Sequence, residues 1–161
     1  MSRSCIVRAA AGRPVTSAPS ELPRGDAGWL WEQSFPGLPD QVSQVRSAAR
    51  HVLDGCPAAD DVILMLSELS ANAVRHSRSG LPGGAFTVRL WYRPGDCIRG
   101  EVEDDGSCWD GDLPASAREQ SGLLIVMTLS PACGVAGRPG CRRVVWFCIP
   151  FQPIHTGDEG R

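Results

Sequence analysis

The sequence contains no lysine: its 161 residues include 16 basic residues, all of them arginine, and 18 acidic residues. A lysine amine is needed for a P-loop, for Schiff-base catalysis and for the strand lysine of eukaryotic protein kinases, so these chemistries are excluded. The formal charge of −2 also argues against nucleic-acid binding through a basic surface. We therefore expect no nucleic-acid partner.

Cysteine pairs and long apolar runs are also missing. The seven cysteines are odd in number and scattered, with no Cys-x-x-Cys pair, which argues against a disulfide scaffold or a structural zinc site. No apolar run approaches the roughly 20 residues needed to span a bilayer, and residues 1–8 lack the apolar stretch of a secretory signal. We therefore expect a cytoplasmic protein without a membrane partner.

The length fits one domain flanked by two tails. Residues 1–28 mix Arg, Ala, Ser, Pro and Gly without helical or strand periodicity, so we predict a flexible tail there. Residues 29–151 carry the periodic segments and are predicted to form the domain. Residues 152–161 are predicted to be a flexible C-terminal tail.

Hydrophobic periodicity predicts the elements of this domain. Two amphipathic helices are expected, the first with apolar residues from Val42 to Leu53 and the second from about Ala58 to Arg75. A third helix is expected to begin near Ser121. Strands are predicted at 29–35, 86–93, 98–103 and 142–150. These elements predict an α+β fold, a two-layer sandwich in which a mixed, mostly antiparallel sheet packs against two to three helices.

Two tryptophans of the first predicted strand, Trp29 and Trp31, have two interpretations. They either belong to a surface that binds a partner or a second copy of the chain, or they pack in the core. The sequence alone leaves both interpretations open.

Three polar residues follow one another along the second predicted helix at intervals of four: Glu68, Asn72 and His76. At about 100° per residue they form one stripe, which runs along the margin of the apolar face. Carboxylate and amide oxygens suit Mg²⁺, and a carboxylate can also deprotonate a nucleophile. The alternative is a partly exposed helix side on which these polar residues are incidental.

Two further segments combine polar residues with glycine. Alternation along the strand that ends at Asp104 places this carboxylate on the same face as Ile98 and Val102, so we expect it to point into the core. A buried carboxylate needs a donor, for which an amino group of a bound heterocycle is one candidate and ordinary Asp-Gly turn chemistry is the alternative. Ser121-Gly122-Leu123 opens the third predicted helix, where free backbone amides can receive phosphate.

The order and spacing of these three segments resemble the ATP-binding Bergerat fold shared by gyrase, the heat-shock chaperone of that class, histidine kinases and MutL. The closer resemblance is to bacterial anti-sigma-factor serine kinases, because Ser67-Glu-Leu-Ser-Ala-Asn-Ala-Val-Arg-His-Ser77 is similar to their N-box over its whole length. Phe35-Pro-Gly and Val145-Trp-Phe are similar to that family as well, so that the resemblance covers about residues 29–150.

The resemblance implies a role for each matching residue. Asn72 would coordinate the Mg²⁺ that bridges the phosphates of bound ATP or ADP, and Glu68 would be the catalytic base toward a serine hydroxyl of a partner. Asp104 would accept a hydrogen bond from the adenine amino group, and Gly106 would let the backbone pass close to the base. The phosphates would be faced by backbone amides at the start of the third helix, those of Ser121, Gly122 and Leu123.

Two other residues, His76 and Arg118, are also given roles. His76 matches the family's motif, and we expect it to pack or to anchor a loop rather than to take part in chemistry. Arg118 is the sole basic residue between Ser107 and Gln120, which makes it the candidate cation for the phosphates.

The glycine segments depart from the family's pattern at two positions. Cys108 stands where the first segment commonly has its second glycine, and Gln120 replaces a glycine of the second segment. The resemblance therefore implies an ATP-binding anti-sigma factor, with a sigma factor and a phosphorylatable antagonist as partners. One alternative is a non-catalytic partner-switching module that has lost nucleotide binding or turnover. Another is a thiol sensor that acts through Cys108.

Overall fold

A computed structural model describes residues 5–9, 29–93, 97–106, 122–138 and 140–150. Within these ranges no helix has the length and apolar character needed to cross a membrane. The elements in chain order are β1 (Cys5–Ala9), β2 (Trp29–Pro36), α1 (Gln41–Val52), α2 (Ala59–His76), a 3₁₀ turn (Arg78–Gly80), β3 (Ala85–Arg93), β4 (Cys97–Asp104), α3 (Leu123–Leu129), β5 (Ala132–Gly137) and β6 (Arg143–Pro150).

The strands form one six-stranded sheet in the order β1-β5-β6-β4-β3-β2, with antiparallel pairing between all neighbours. The helices cover the face of the sheet that carries the alternate apolar residues of β3 and β4, and α2 packs against both of these strands. The predicted α+β two-layer sandwich is therefore confirmed.

The helices bury the faces that periodicity predicts. On α1 and the residue after it, Val45, Ala49 and Leu53 are buried. The predicted apolar face of α2 is buried throughout, from Val62 to Ala73. Across the sheet, the ring of Phe147 lies on Gly100, where an added Cβ would come within 2.3 Å of it. The glycine therefore makes room for an aromatic ring in the centre of the core.

Ion pairs stabilise the opposite face of the sheet. Arg89 donates to Glu32 and to Glu103, which also accepts from Arg142 at 2.8 Å. Burial by itself would raise the pKa of Glu103, but the hydrogen bonds and charges of Arg89 and Arg142 outweigh it and hold the pKa below its usual value. These charges compensate one another on the face of the sheet opposite to the apolar residues of β3 and β4.

Further along the same face, a second ion pair lies under an aromatic ring. Arg99 pairs with Glu101 at 2.7 Å, and its guanidinium lies 4.3 Å from the ring centroid of Trp146. Both charged side chains are less than a tenth exposed. Cation–π contact and pairing together offset the cost of removing these charges from water.

Two strands lie outside the sequence predictions. β1 falls in the segment for which we expect a flexible tail, yet residues 5–9 pair with β5, so that expectation is wrong for these residues. β5 is missed because its residues, Ala-Cys-Gly-Val-Ala-Gly, have no alternation of large apolar and polar side chains. The small residues have a packing reason, since a Cβ on Gly134 would lie 2.9 Å from the ring of Trp146.

The interpretation of the two tryptophans is resolved for one of them. Trp31 is half-buried, packs against the core and lies 6.5 Å from the ring of Phe35, which favours the core interpretation. The side chain of Trp29 lies outside the described part of the structure.

Candidate functional site

Asn72 lies about one turn before the end of α2, where the residue is 8% exposed. Neither its Oδ1 nor its Nδ2 has a hydrogen-bond partner among the residues that the structure describes. An unpaired buried polar group costs roughly 1–3 kcal/mol, so a native structure keeps one for a reason, such as a ligand that completes it. Asn72 therefore has the free capacity that a ligating side chain requires.

The chemistry of Asn72 fits Mg²⁺, which prefers oxygen ligands and keeps several waters or phosphate oxygens in its coordination sphere. Within the described ranges there is no group of three or more His, Cys, Asp or Glu residues that could hold a metal by itself. A Mg²⁺ at Asn72 would thus depend on phosphate and water for its other ligands. Phosphate oxygens and water are ligands that Mg²⁺ commonly keeps when it is bound together with a nucleotide.

Glu68 lies one turn before Asn72 and contacts the start of α3. Gly122 caps that helix with φ +67°, and a Cβ added there would lie 2.1 Å from Oε2 of Glu68. The half-buried carboxylate therefore lies directly on the backbone of Gly122. Leu123 follows as the first residue of α3 and packs against the core. Two of the three predicted segments are thus in contact.

Asp104 ends β4 with its side chain directed inward, as the alternation predicts, and is 3% exposed. Its Oδ2 accepts from Nε and Nη2 of Arg143 at 3.1 and 2.8 Å, and its Oδ1 accepts from the backbone N–H of Gly106 at 2.7 Å. Burial raises the pKa of Asp104, and the charge and hydrogen bonds of Arg143 only partly oppose this effect. Alternation along β4 predicts the burial of this carboxylate but not its arginine partner.

Gly106 turns the chain immediately after β4. Its φ is +68°, and an added Cβ would lie 1.9 Å from the carbonyl oxygen of Cys141. Only glycine fits a backbone that is both left-handed and this close to a second segment. The close approach that the structure shows at Gly106 is to the backbone of Cys141, and the approach to an adenine base stays a prediction.

A short segment after α2 anchors this turn, and we name it the clasp (Ser77–Ser79). The backbone N–H of Arg78 donates to the carbonyl of Gly106 at 2.8 Å, and its guanidinium donates to the carbonyls of Asp105 and Gly140. The backbone N–H of Asp105 donates to Oγ of Ser79 at 2.9 Å. The clasp thus connects the end of α2 to the glycine segment that follows β4.

No pattern in the sequence predicts the clasp, and the packing or loop-anchoring role is expected there for His76. His76 is exposed at the end of α2, so the packing role is wrong. Serine side chains directly after a helix are a local signal for backbone hydrogen bonding, but they do not reveal a partner elsewhere in the chain. Of the other predicted residues, Ser121 and Arg118 lie outside the described residues, as do Cys108 and Gln120.

The described site residues come from three elements that pack on one another, since α2 contacts both β4 and α3. Comparison with protein-family models gives a match over residues 35–148 to the model described as a histidine kinase-like ATPase domain. The matched range includes all six described site residues, namely Glu68, Asn72, Asp104, Gly106, Gly122 and Leu123. Comparison with curated proteins gives no match.

Proposed function

The chain belongs to the histidine kinase-like ATPase domain family, and from this premise we propose that it is an ATP-binding regulatory protein. The observation that carries the proposal is the buried amide of Asn72, whose two polar atoms have no partner among the described residues. Glu68 lies one turn before Asn72 on α2 and contacts Gly122 at the start of α3. Phosphates held through Asn72 would be expected near this contact. Family membership and the amide of Asn72 without hydrogen-bond partners thus both support a magnesium-bound nucleotide as the ligand.

In the proposed mechanism, each described residue has one task. Bound Mg²⁺ would neutralise phosphate charge, and the oxygen of Asn72 would hold it. Asp104 would accept from the adenine amino group. The backbone N–H groups at Gly122 and Leu123 would face the phosphate oxygens. No covalent enzyme intermediate is needed because phosphoryl transfer depends on positioning and electrostatics.

The finer proposal is an anti-sigma factor that phosphorylates a serine of its antagonist. The serine Oγ would attack the γ-phosphorus of ATP while the bond to the ADP oxygen breaks, and Glu68 would take the hydroxyl proton. The half-buried carboxylate beside Gly122 supports this assignment because a base has to lie close to the phosphoryl group that is transferred. The sigma factor and the antagonist are the proposed partners.

Mg-ATP or Mg-ADP is expected to raise the thermal midpoint of the protein, because a ligand that binds only the folded state stabilises it. At about 100 times the dissociation constant the gain is roughly 2.7 kcal/mol. Differential scanning fluorimetry with and without EDTA measures the shift and its dependence on magnesium. An unchanged midpoint at millimolar nucleotide would contradict nucleotide binding.

Glu68→Gln is expected to lower phosphoryl transfer to a partner serine by about 10²–10⁴-fold, the usual contribution of a general base. Nucleotide binding should persist, since the amide has nearly the same shape as the carboxylate. Labelled phosphate on the partner, with binding measured in parallel, separates the two effects. Transfer at the wild-type rate by a folded Glu68→Gln variant would remove Glu68 from the base role.

A second candidate function is a non-catalytic interaction module, and the ion pair between Asp104 and Arg143 favours it. A carboxylate that is already paired within the chain is what a domain that has lost its nucleotide would also contain. Partner binding without any effect of nucleotide would support this candidate. The thiol-sensor hypothesis concerns Cys108, which lies outside the described residues.

A further inference from the structure

Arg143 forms an ion pair with Asp104, the carboxylate that would accept a hydrogen bond from adenine in the proposed function. The two residues are direct partners in the register of β4 and β6, and both lie on the helix-covered face of the sheet. The guanidinium donates side-on through Nε and Nη2 to a single oxygen, Oδ2 of Asp104. This contact is therefore built into the pairing of the two strands.

The carboxylate of Asp104 has little acceptor capacity left. An ionised carboxylate offers about four lone-pair sites. Two donors of Arg143 use those of Oδ2, and the N–H of Gly106 uses one of Oδ1. An amino group of a base that approaches Asp104 therefore finds about one acceptor site free, on the oxygen already bonded to Gly106.

The partner of Asp104 is charged, whereas an amino group of a base is neutral. The side chain of Asp104 is 2% exposed and burial raises its pKa, so the positive charge of Arg143 contributes to keeping it ionised. A base that replaced the guanidinium would remove that compensation. Arg143 itself has a route outward, because its side chain is 19% exposed.

We propose that Arg143 competes with the nucleotide base for Asp104 and thereby sets the affinity and base selectivity of the site. This inference rests on the proposed nucleotide-binding function and adds a residue that opposes it. In the free protein the guanidinium holds the carboxylate, and a base with a 6-amino group has to displace it. The wild-type chain accordingly binds adenine nucleotides more weakly than its Asp104 alone would permit.

Arg143→Met tests the inference because methionine keeps much of the length of the side chain but donates no hydrogen bond. Isothermal titration with Mg-ATP and Mg-ITP is the measurement, since hypoxanthine carries an oxygen in place of the 6-amino group. We expect Arg143→Met to bind ATP at least about tenfold more tightly than wild type, the scale of one charge-assisted hydrogen bond. ITP affinity should change far less, so that the ratio of the two affinities rises.

The matched control is Arg142→Met. Arg142 is the preceding residue, 75% exposed, and pairs with Glu103 instead of Asp104, so its loss should leave both affinities unchanged. Circular dichroism checks that each variant folds. If Arg143→Met does not fold, Arg143→Lys decides, because it keeps the charge but loses the two-bond fork. It should bind ATP more tightly than wild type by a smaller factor.

Equal affinity of the folded variant and wild type for ATP would overturn the inference, and so would an equal gain for ATP and ITP. If the wild type binds ATP and Arg143→Met binds it with the same affinity, only the inference is overturned and the proposed function stands. No nucleotide binding by wild type or by any variant would overturn both. Tight binding by Arg143→Met with weak binding by wild type would support both.

Discussion

Asn72→Ala is expected to abolish Mg-nucleotide binding without destabilising the free protein. Both polar atoms of this amide are buried and have no partner among the described residues, so their removal takes away a desolvation cost of roughly 1–3 kcal/mol. The lost packing of the side chain offsets part of this gain. We expect the free energy of unfolding to stay the same or to rise by about 1 kcal/mol.

Urea unfolding in the absence of nucleotide measures the stability of the variant, and calorimetric titration with Mg-ATP measures its affinity. The combination is informative because a buried residue with a purely structural role gives the opposite stability result. A substitution that removes a packed and satisfied side chain typically lowers the free energy of unfolding. Loss of binding together with unchanged stability identifies Asn72 as a residue that completes its hydrogen bonding with a ligand.

Ser70→Ala is the matched control for Asn72→Ala. Its Oγ is also buried and without a partner among the residues described, and it lies on the same helix, two positions earlier. Its removal should have a similar small effect on stability but none on nucleotide affinity. Equal loss of affinity in both variants would show that the effect comes from α2 as a whole, and unchanged affinity in Asn72→Ala would refute the magnesium role.

The parts of the structure that the sequence predicts are those in which burial imposes a period. The 3.6-residue period of α2 predicts its apolar face and places Glu68 and Asn72 at the margin of that face. The two-residue period of β4 predicts that Asp104 points inward, where it is indeed buried. These inferences succeed because each uses neighbours within one element.

The parts that the sequence does not predict depend on contacts between distant segments. The guanidinium of Arg78 reaches the carbonyl of Gly140, which is 62 residues away in the chain. Arg143 meets Asp104 only through the register of two strands that are not consecutive in sequence. No local pattern contains this information, so the clasp and the contact between Arg143 and Asp104 become visible only once the sheet is assembled.

Gly106→Ala is expected to destabilise the protein by about 3 kcal/mol or more. The left-handed backbone costs a residue with a Cβ roughly 1–2 kcal/mol. The added methyl group would also lie 1.9 Å from the carbonyl oxygen of Cys141, and crowding of this kind adds typically 1–3 kcal/mol. The obstacle is backbone, so no rotation of a side chain relieves it. Urea unfolding measures the loss.

Two other glycines separate the cost of the left-handed backbone from the cost of the steric clash. Each has a positive φ, but neither approaches a backbone carbonyl as Gly106 does. Gly55 has φ +73° and an added Cβ there meets no described atom within 4 Å, so Gly55→Ala should cost only the 1–2 kcal/mol of the backbone. At Gly122 the nearest obstacle is the carboxylate of Glu68, which can rotate away, but Cβ of Glu68 also lies 3.0 Å from the added methyl group. Gly122→Ala should therefore lose somewhat more stability than Gly55→Ala and less than Gly106→Ala, and the displaced carboxylate is expected to lower phosphoryl transfer. Equal destabilisation by Gly55→Ala and Gly106→Ala would show that the turn after β4 yields to an added side chain, and that its close approach to Cys141 does not require glycine.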